Sequence, residues 1–148
     1  MPRIKLTEKS AYSFSTNCTV RLDDINFGGH VDNAKVVTFL NEARVRYLKQ
    51  FGSSGWDMGD GNTGIIIGDL SINYKAEIFY GNELTIDCEI DEIEEKSFRM
   101  FYRIRNNGAT AVIAESGIVG LNLKEKKTGK IPDAFIEKIN NYQKSNIK

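Results

Sequence analysis

Between Asn33 and Phe51 the sequence carries apolar side chains around most of a helical circumference. Val36, Val37, Leu40, Ala43, Tyr47, Leu48 and Phe51 recur at helical spacing, while Lys35, Thr38, Glu42, Arg46 and Lys49 form a narrower polar stripe. A helix with so little polar surface has to be covered on most sides, and the rest of the chain must supply the cover. Asp32 is suited to cap the start, because its carboxylate accepts from unpaired amides of the first turn and favours the positive end of the helix dipole. Gly52 is suited to stop it. Upstream, from Val20, a turn rich in Asp, Asn and Gly runs straight into this helix. Polar side chains and free helix amides therefore converge on one spot, which is the candidate active site.

The cover reads as sheet. Residues Ala11 to Leu22 alternate, with Tyr12, Phe14, Thr16, Cys18, Val20 and Leu22 on one side, which predicts a half-buried strand. Gly52 to Gly64 has the composition of a mobile loop able to gate what lies beneath it. A strand is predicted over Ile65 to Glu77, and Tyr80, Gly81 and Asn82 turn out of it. Leu84 to Asp91 alternates with an acidic outer face, and Phe98 to Arg105 with a basic one. The pair predicts an antiparallel hairpin around Glu94 to Ser97. Asn106, Asn107 and Gly108 turn into a long last strand, Ala109 to Leu123, where Gly117 and Gly120 are expected at a bulge or a close approach. After a charged turn, Lys124 to Lys130, Pro132 opens a short helix with Phe135, Ile136, Ile139 and Tyr142 on one face.

One helix with a wide apolar face and five mostly antiparallel strands make an α+β domain, and 148 residues suit a single domain spanning 1–148. Lys and Arg balance Asp and Glu at a net charge of zero, which removes the usual electrostatic case for nucleic acid or an anionic membrane. No stretch approaches the roughly eighteen continuous apolar residues of a membrane span, and MPRIKLTEKS has no apolar core of a signal peptide. A cytoplasmic location is expected. Cys18 and Cys88 fall at inward positions on strands and no CxxC is present, so they are expected to be core thiols.

Each polar residue of the turn and helix has a chemical and a purely structural role open to it. His30, the single histidine, can act as base or orient a water, or it can pin the turn through a backbone carbonyl. Glu42 can activate water, or pair with Arg46 four residues on. Asp24 is available as an acid or as a turn cap, and Asn26 is suited to an Asx turn. Gly28 and Gly29 permit positive φ, and their lack of side chains also lets a substrate carbonyl approach the helix amides. No GxSxG elbow, P-loop, GxGxxG or HExxH offers a competing scheme.

The run GHVDNAKVVTFLNEAR, preceded by DDIN, resembles the hotdog-fold acyl-CoA thioesterases of the 4-hydroxybenzoyl-CoA thioesterase type. Their signature reads roughly D-x-D-x-x-G-H-V-N-N, followed by Tyr and a Phe, Glu, Ala-Arg run. Asp24, Gly29, His30, Val31, Asn33, Glu42, Ala43 and Arg44 match it, and the likeness extends to strand order and the TGK-x-P ending. It implies a curved five-stranded sheet wrapped around one long central helix, with a short C-terminal helix. It further implies hydrolysis of an acyl-CoA or acyl-carrier thioester without metal or cofactor, in a homodimer or tetramer with pockets between protomers. The strand Ile65 to Glu77, with its isoleucine run and no proline, suits such edge pairing.

Four positions depart from the signature. Asn26 stands where the family has its second Asp, the usual nucleophile or base, and a carboxamide can only donate and accept hydrogen bonds. Gly28 adds a glycine, Asp32 replaces the first Asn of the pair, and Val37 replaces the Tyr. The implied mechanism has the thioester carbonyl accept from backbone amides near Val31, Asp32 and Asn33, with water activated by Glu42, Asp24 or His30. A non-catalytic module that binds acyl thioesters or another small ligand is the alternative, and it accounts for Asn26 without strain. A dehydratase or hydratase of the same fold would need its own placement of His and acid, and the surrounding motif is lacking.

Overall fold

A computed structural model describes residues 1–146 of the chain. The strands are β1 (Phe14–Thr19), β2 (Thr63–Tyr74), β3 (Glu83–Asp91), β4 (Ser97–Asn106), β5 (Ala109–Asn122) and the two-residue β6 (Lys127–Thr128). The helices are α1 (Asn33–Lys49) and α2 (Asp133–Ser145). Every pairing is antiparallel, the order is β1-β3-β4-β5-β2, and β6 adds to β5. β1 and β2 are therefore the edges. The result is the expected α+β arrangement of an antiparallel sheet with one long helix and one terminal helix.

The alternation in the sequence fixes which face is which. Phe14, Cys88, Tyr102, Ala114 and Ile72 are register partners in one row across the five long strands, so they share a face. α1 lies on that face against β1 and β3, burying Val36, Leu40, Ala43, Tyr47 and Leu48. Each such large apolar side chain removed from water contributes about 1.5–3 kcal/mol. At the C-terminal end of α1 an aromatic cluster receives α2: Phe14 stacks on Tyr47 at 4.9 Å, and Phe51 meets Phe135 at 5.8 Å and Tyr142 at 5.5 Å. Among the described residues no helix is long and apolar enough to cross a membrane. Cys88 is buried and Cys18 half-buried, and neither is in a disulfide.

The opposite face carries the charge pattern. Asp87 and Arg103 are register partners, and Asp87 is also reached by Arg105. Arg99 turns instead to Asp69 at 2.8 Å and Glu115 at 3.0 Å, leaving its register partner Asp91 to Lys9. Residues 4–12 cross this face as a strap. Leu6 N–H donates to Asn73 on β2 (2.7 Å), Glu8 pairs with Arg103 on β4 (3.2 Å), and Lys9 pairs with Asp91 on β3 (2.6 Å).

Four local features differ from the sequence expectation. β1 begins at Phe14 rather than Ala11, because the Ser13 hydroxyl leaves the alternation to meet Tyr47 and Glu89, each at 2.7 Å. At its other end a 3-10 turn over Leu22–Asp24 breaks the strand and leaves Leu22 74% exposed. β2 ends at Tyr74 rather than Glu77, since Lys75 and Ala76 both donate to the Ala111 carbonyl (2.8 and 3.2 Å) and the chain swings away from β5. The glycine-rich segment 52–62 is knit rather than open: buried Asp57 accepts from the Ser54 hydroxyl and from Gly61 N–H (2.9 Å), while Ser53 Oγ donates to the Asp57 carbonyl (2.5 Å). Gly117 and Gly120 are close approaches, a Cβ on Gly120 lying only 2.7 Å from the Gly129 carbonyl oxygen.

Candidate active site

The turn before α1 is a small closed loop. Ile25 and Val31 form an antiparallel bridge, Asn26 N–H donates to the His30 carbonyl (2.9 Å), and Gly29 N–H donates to the Asn26 carbonyl (3.1 Å). Asn26 Oδ1 accepts from Gly28 N–H at 2.9 Å, an Asx turn. Gly29 sits at φ +83°, where a side chain is strained. Gly28 is small for a different reason: a Cβ there would lie 3.1 Å from His30 Nε2 and 3.3 Å from Asn26 Oδ1. The His30 and Asn26 side chains thus flank one small space that glycine leaves free.

A second bridge docks this turn on the β2–β3 connection. His30 pairs with Phe79, and Val31 N–H donates to the Ile78 carbonyl at 2.7 Å. In antiparallel pairing, opposed residues share a side and so do residues two apart along each strand. His30, Asp32, Glu77 and Phe79 consequently stand on one side of this pairing. Against this pairing a cleft of about 250 Å³ opens, with His30, Asn33, Tyr74, Lys75 and Glu77 as its polar lining and Val31, Val36, Ala76, Ile78 and Val112 as its apolar lining.

The hydrogen bonds fix what each group can do. His30 is half-buried, and its Nδ1 lies 3.3 Å from the Val31 carbonyl. Nδ1–H donating there leaves the Nε2 lone pair on the side of Gly28. The amides of Val31 and Asp32 are committed, to Ile78 O and to Asp24 O (3.0 Å). Of the three amides expected to polarise a carbonyl, only that of Asn33 has no acceptor among the described residues. Tyr74 donates its hydroxyl to the Asn33 carbonyl at 3.0 Å, joining the end of β2 to the first residue of α1. Burial, and then the negative charge of Asp32, raise the pKa of that hydroxyl.

The structure therefore gathers His30, Val31 and Asn33 at the cleft, with Asn26 and Gly28 against His30 and Gly29 closing the turn. It does not bring Asp24 or Glu42 to the cleft. Asp24 is buried and caps the 3-10 turn by accepting from Arg21 N–H at 2.8 Å. Glu42 pairs with Arg46 at 3.3 Å on the exposed side of α1. Asp32 caps its helix, accepting from Ala34 N–H at 3.4 Å. Tyr74, Lys75 and Glu77 were not singled out by the sequence. Glu77 read as the last polar position of an alternating strand, and only the bridge from His30 to Phe79, some fifty residues apart in sequence, brings it to the turn.

Residues 20–139 match the model of the thioesterase-like superfamily. The chain is similar to the long-chain acyl-CoA thioesterase FadM of Escherichia coli, at 28% identity over 126 residues covering 84% of this chain and 95% of that one. Among solved structures it is similar to a thioesterase from Thermus thermophilus complexed with coenzyme A and Zn (TM-score 0.80, 21% identity, 92% of this chain and 98% of that one). It is likewise similar to a 1,4-dihydroxy-2-naphthoyl-CoA thioesterase from Synechocystis (TM-score 0.78, 19% identity, 89% and 97%). At those identities the two structures bear on the fold alone.

Proposed function

This chain belongs to the thioesterase-like superfamily, and from that membership we propose that it hydrolyses an acyl-CoA or acyl-carrier thioester to free acid and thiol. The observation that carries the proposal is the cleft that sets His30 beside the unpaired Asn33 amide at the N-terminus of α1. The likeness to FadM supports CoA as the thiol.

The thioester carbonyl oxygen accepts from Asn33 N–H, and the helix dipole stabilises the oxyanion that develops there. Loss of one such donor typically costs about 3 kcal/mol of transition-state stabilisation. Of the three groups expected to activate water, His30 is the one that faces the cleft. Val36, Ile78 and Val112 offer an apolar wall to the acyl group. The carbon–sulfur bond breaks, and the CoA thiolate departs as a good leaving group.

The working unit is a homodimer, or a tetramer of two such dimers. On the helix side of edge strand β2, Ile67, Leu70 and Tyr74 are 37%, 38% and 48% exposed, because α1 covers β1 and β3 instead. An apolar stripe on an unpaired strand edge is the surface a second copy of this chain fits. The cleft opens at the end of that strand, so the partner would help to wall it. Two unpaired thiols accord with a reducing, cytoplasmic compartment.

Thiol release from a panel of acyl-CoAs tests the proposal, and steady turnover on at least one of them is expected. A second reading, a thioester-binding module, is favoured by one observation: Asn26 supplies no carboxylate and its Oδ1 is already bonded to Gly28 N–H. Tight acyl-CoA binding without thiol release would establish that reading instead.

A further inference from the structure

We infer that Glu77 is the general base that replaces the carboxylate missing at Asn26; this rests on the thioesterase reading. Glu77 leaves the sheet just after β2 ends, lines the same cleft as His30 and Asn33, and stands on the His30 side of the pairing between the turn and the β2–β3 connection. Diagonal positions in such a pairing lie about 7–8 Å apart, which leaves room for one water between the two side chains. The other carboxylates near α1 are committed: Asp24 to Arg21 N–H, Asp32 to Ala34 N–H and Glu42 to Arg46. Glu77 is exposed to solvent, and no hydrogen bond or ion pair among the described residues engages its side chain. A free carboxylate facing the cleft beside an imidazole and an open helix amide is the arrangement that water attack needs.

In the step, a water held between Glu77 and His30 gives one proton to the Glu77 carboxylate as its oxygen bonds to the thioester carbon. The carbonyl electrons move to oxygen, against Asn33 N–H. Collapse restores the carbonyl, breaks the carbon–sulfur bond and returns the proton from Glu77 to the thiolate. One water and one thioester give one acid and one thiol.

Besides His30, the charged or titratable groups on this side are Asp32 from the turn before α1 and Tyr74 and Lys75 at the end of β2. Glu77→Gln removes the base and leaves all of them in place. On an acyl-CoA that the parent turns over, kcat should fall about 10²- to 10⁴-fold, the range of general-base effects. KM should stay within a few-fold. Glu77→Asp should recover part of the loss, and both variants should melt with the parent. A Glu77→Gln protein within threefold of the parent overturns the role of Glu77 and leaves the thioesterase reading standing. A parent that releases no thiol from any substrate overturns both.

Discussion

Arg103 Nε on β4 donates to Asp87 Oδ2 on β3 at 2.8 Å, and Arg105 Nε reaches the same oxygen at 2.7 Å. Asp87 is buried, and burial by itself would raise its pKa; the hydrogen bonds from Arg105, Ser15 and Arg103 outweigh that and hold the carboxyl below its ordinary value. The stability it contributes is therefore present above the unfolded carboxylate pKa of about 3.9, and is lost as pH falls through the depressed folded value. The side chains of Arg103 and Arg105 are 24% and 33% exposed. Solvent thus softens the change, and Asp87→Asn should cost about 3 kcal/mol at pH 7, the low end for breaking a buried pair. Urea unfolding at pH 7 and near pH 3 checks it: the gap between variant and parent should shrink at the lower pH. An equal gap at both would exclude an ionised Asp87 as its source.

The two glycines of the turn should fail in different ways. Gly28→Ala puts a Cβ 3.1 Å from His30 Nε2, so the imidazole must shift. Turnover should drop about tenfold or more, since misplacing a reacting group by about 1 Å can cost a hundredfold, while the melting temperature changes little. At Gly29 the space is open but φ is +83°, so Gly29→Ala should cost about 1 kcal/mol of stability. Melting curves and kcat/KM measured on both variants would show whether the two effects separate.

Glu42→Gln breaks an exposed i,i+4 pair with Arg46. Stability should move by about 0.3–0.5 kcal/mol and turnover should stay close to the parent's. A fall of about a hundredfold would instead place Glu42 at a partner protomer's cleft.

Leu70→Lys puts a charge in the exposed apolar stripe of the edge strand β2. Sedimentation at micromolar concentration should find the parent at least dimeric and the variant shifted to monomer, with activity falling alongside assembly. A fully active parental monomer would rule out the dimer.

Most of the fold was legible because strand alternation and helical spacing are local signals. The acidic and basic outer faces of β3 and β4 foretold their pairing, and Asp32 and Pro132 marked where the helices start. What stayed hidden depends on contacts far apart in sequence. Ser13 leaves its strand because Tyr47 and Glu89 offer it partners. Glu89, read as part of the solvent face, also collects Gln143 of α2 at 2.7 Å. At the site, the Asx turn of Asn26 and the small residues at 28 and 29 were readable from type alone. That the Val31 amide is already spent on Ile78, and that Tyr74 and Glu77 line one cleft with His30, follows from contacts between segments more than forty positions apart, which no local pattern encodes.

The strap over the outer face also sets an order of events. Glu8 meets Arg103 across 95 residues of sequence, and Lys9 meets Asp91 across 82. On a ribosome adding about 5–20 residues per second, the strap emerges early and waits roughly 5–20 seconds for the strands it must cross. The strap, made well before the strands it crosses, is thus among the last parts to settle, and through that interval its side chains are free to be met by whatever else is in the cell.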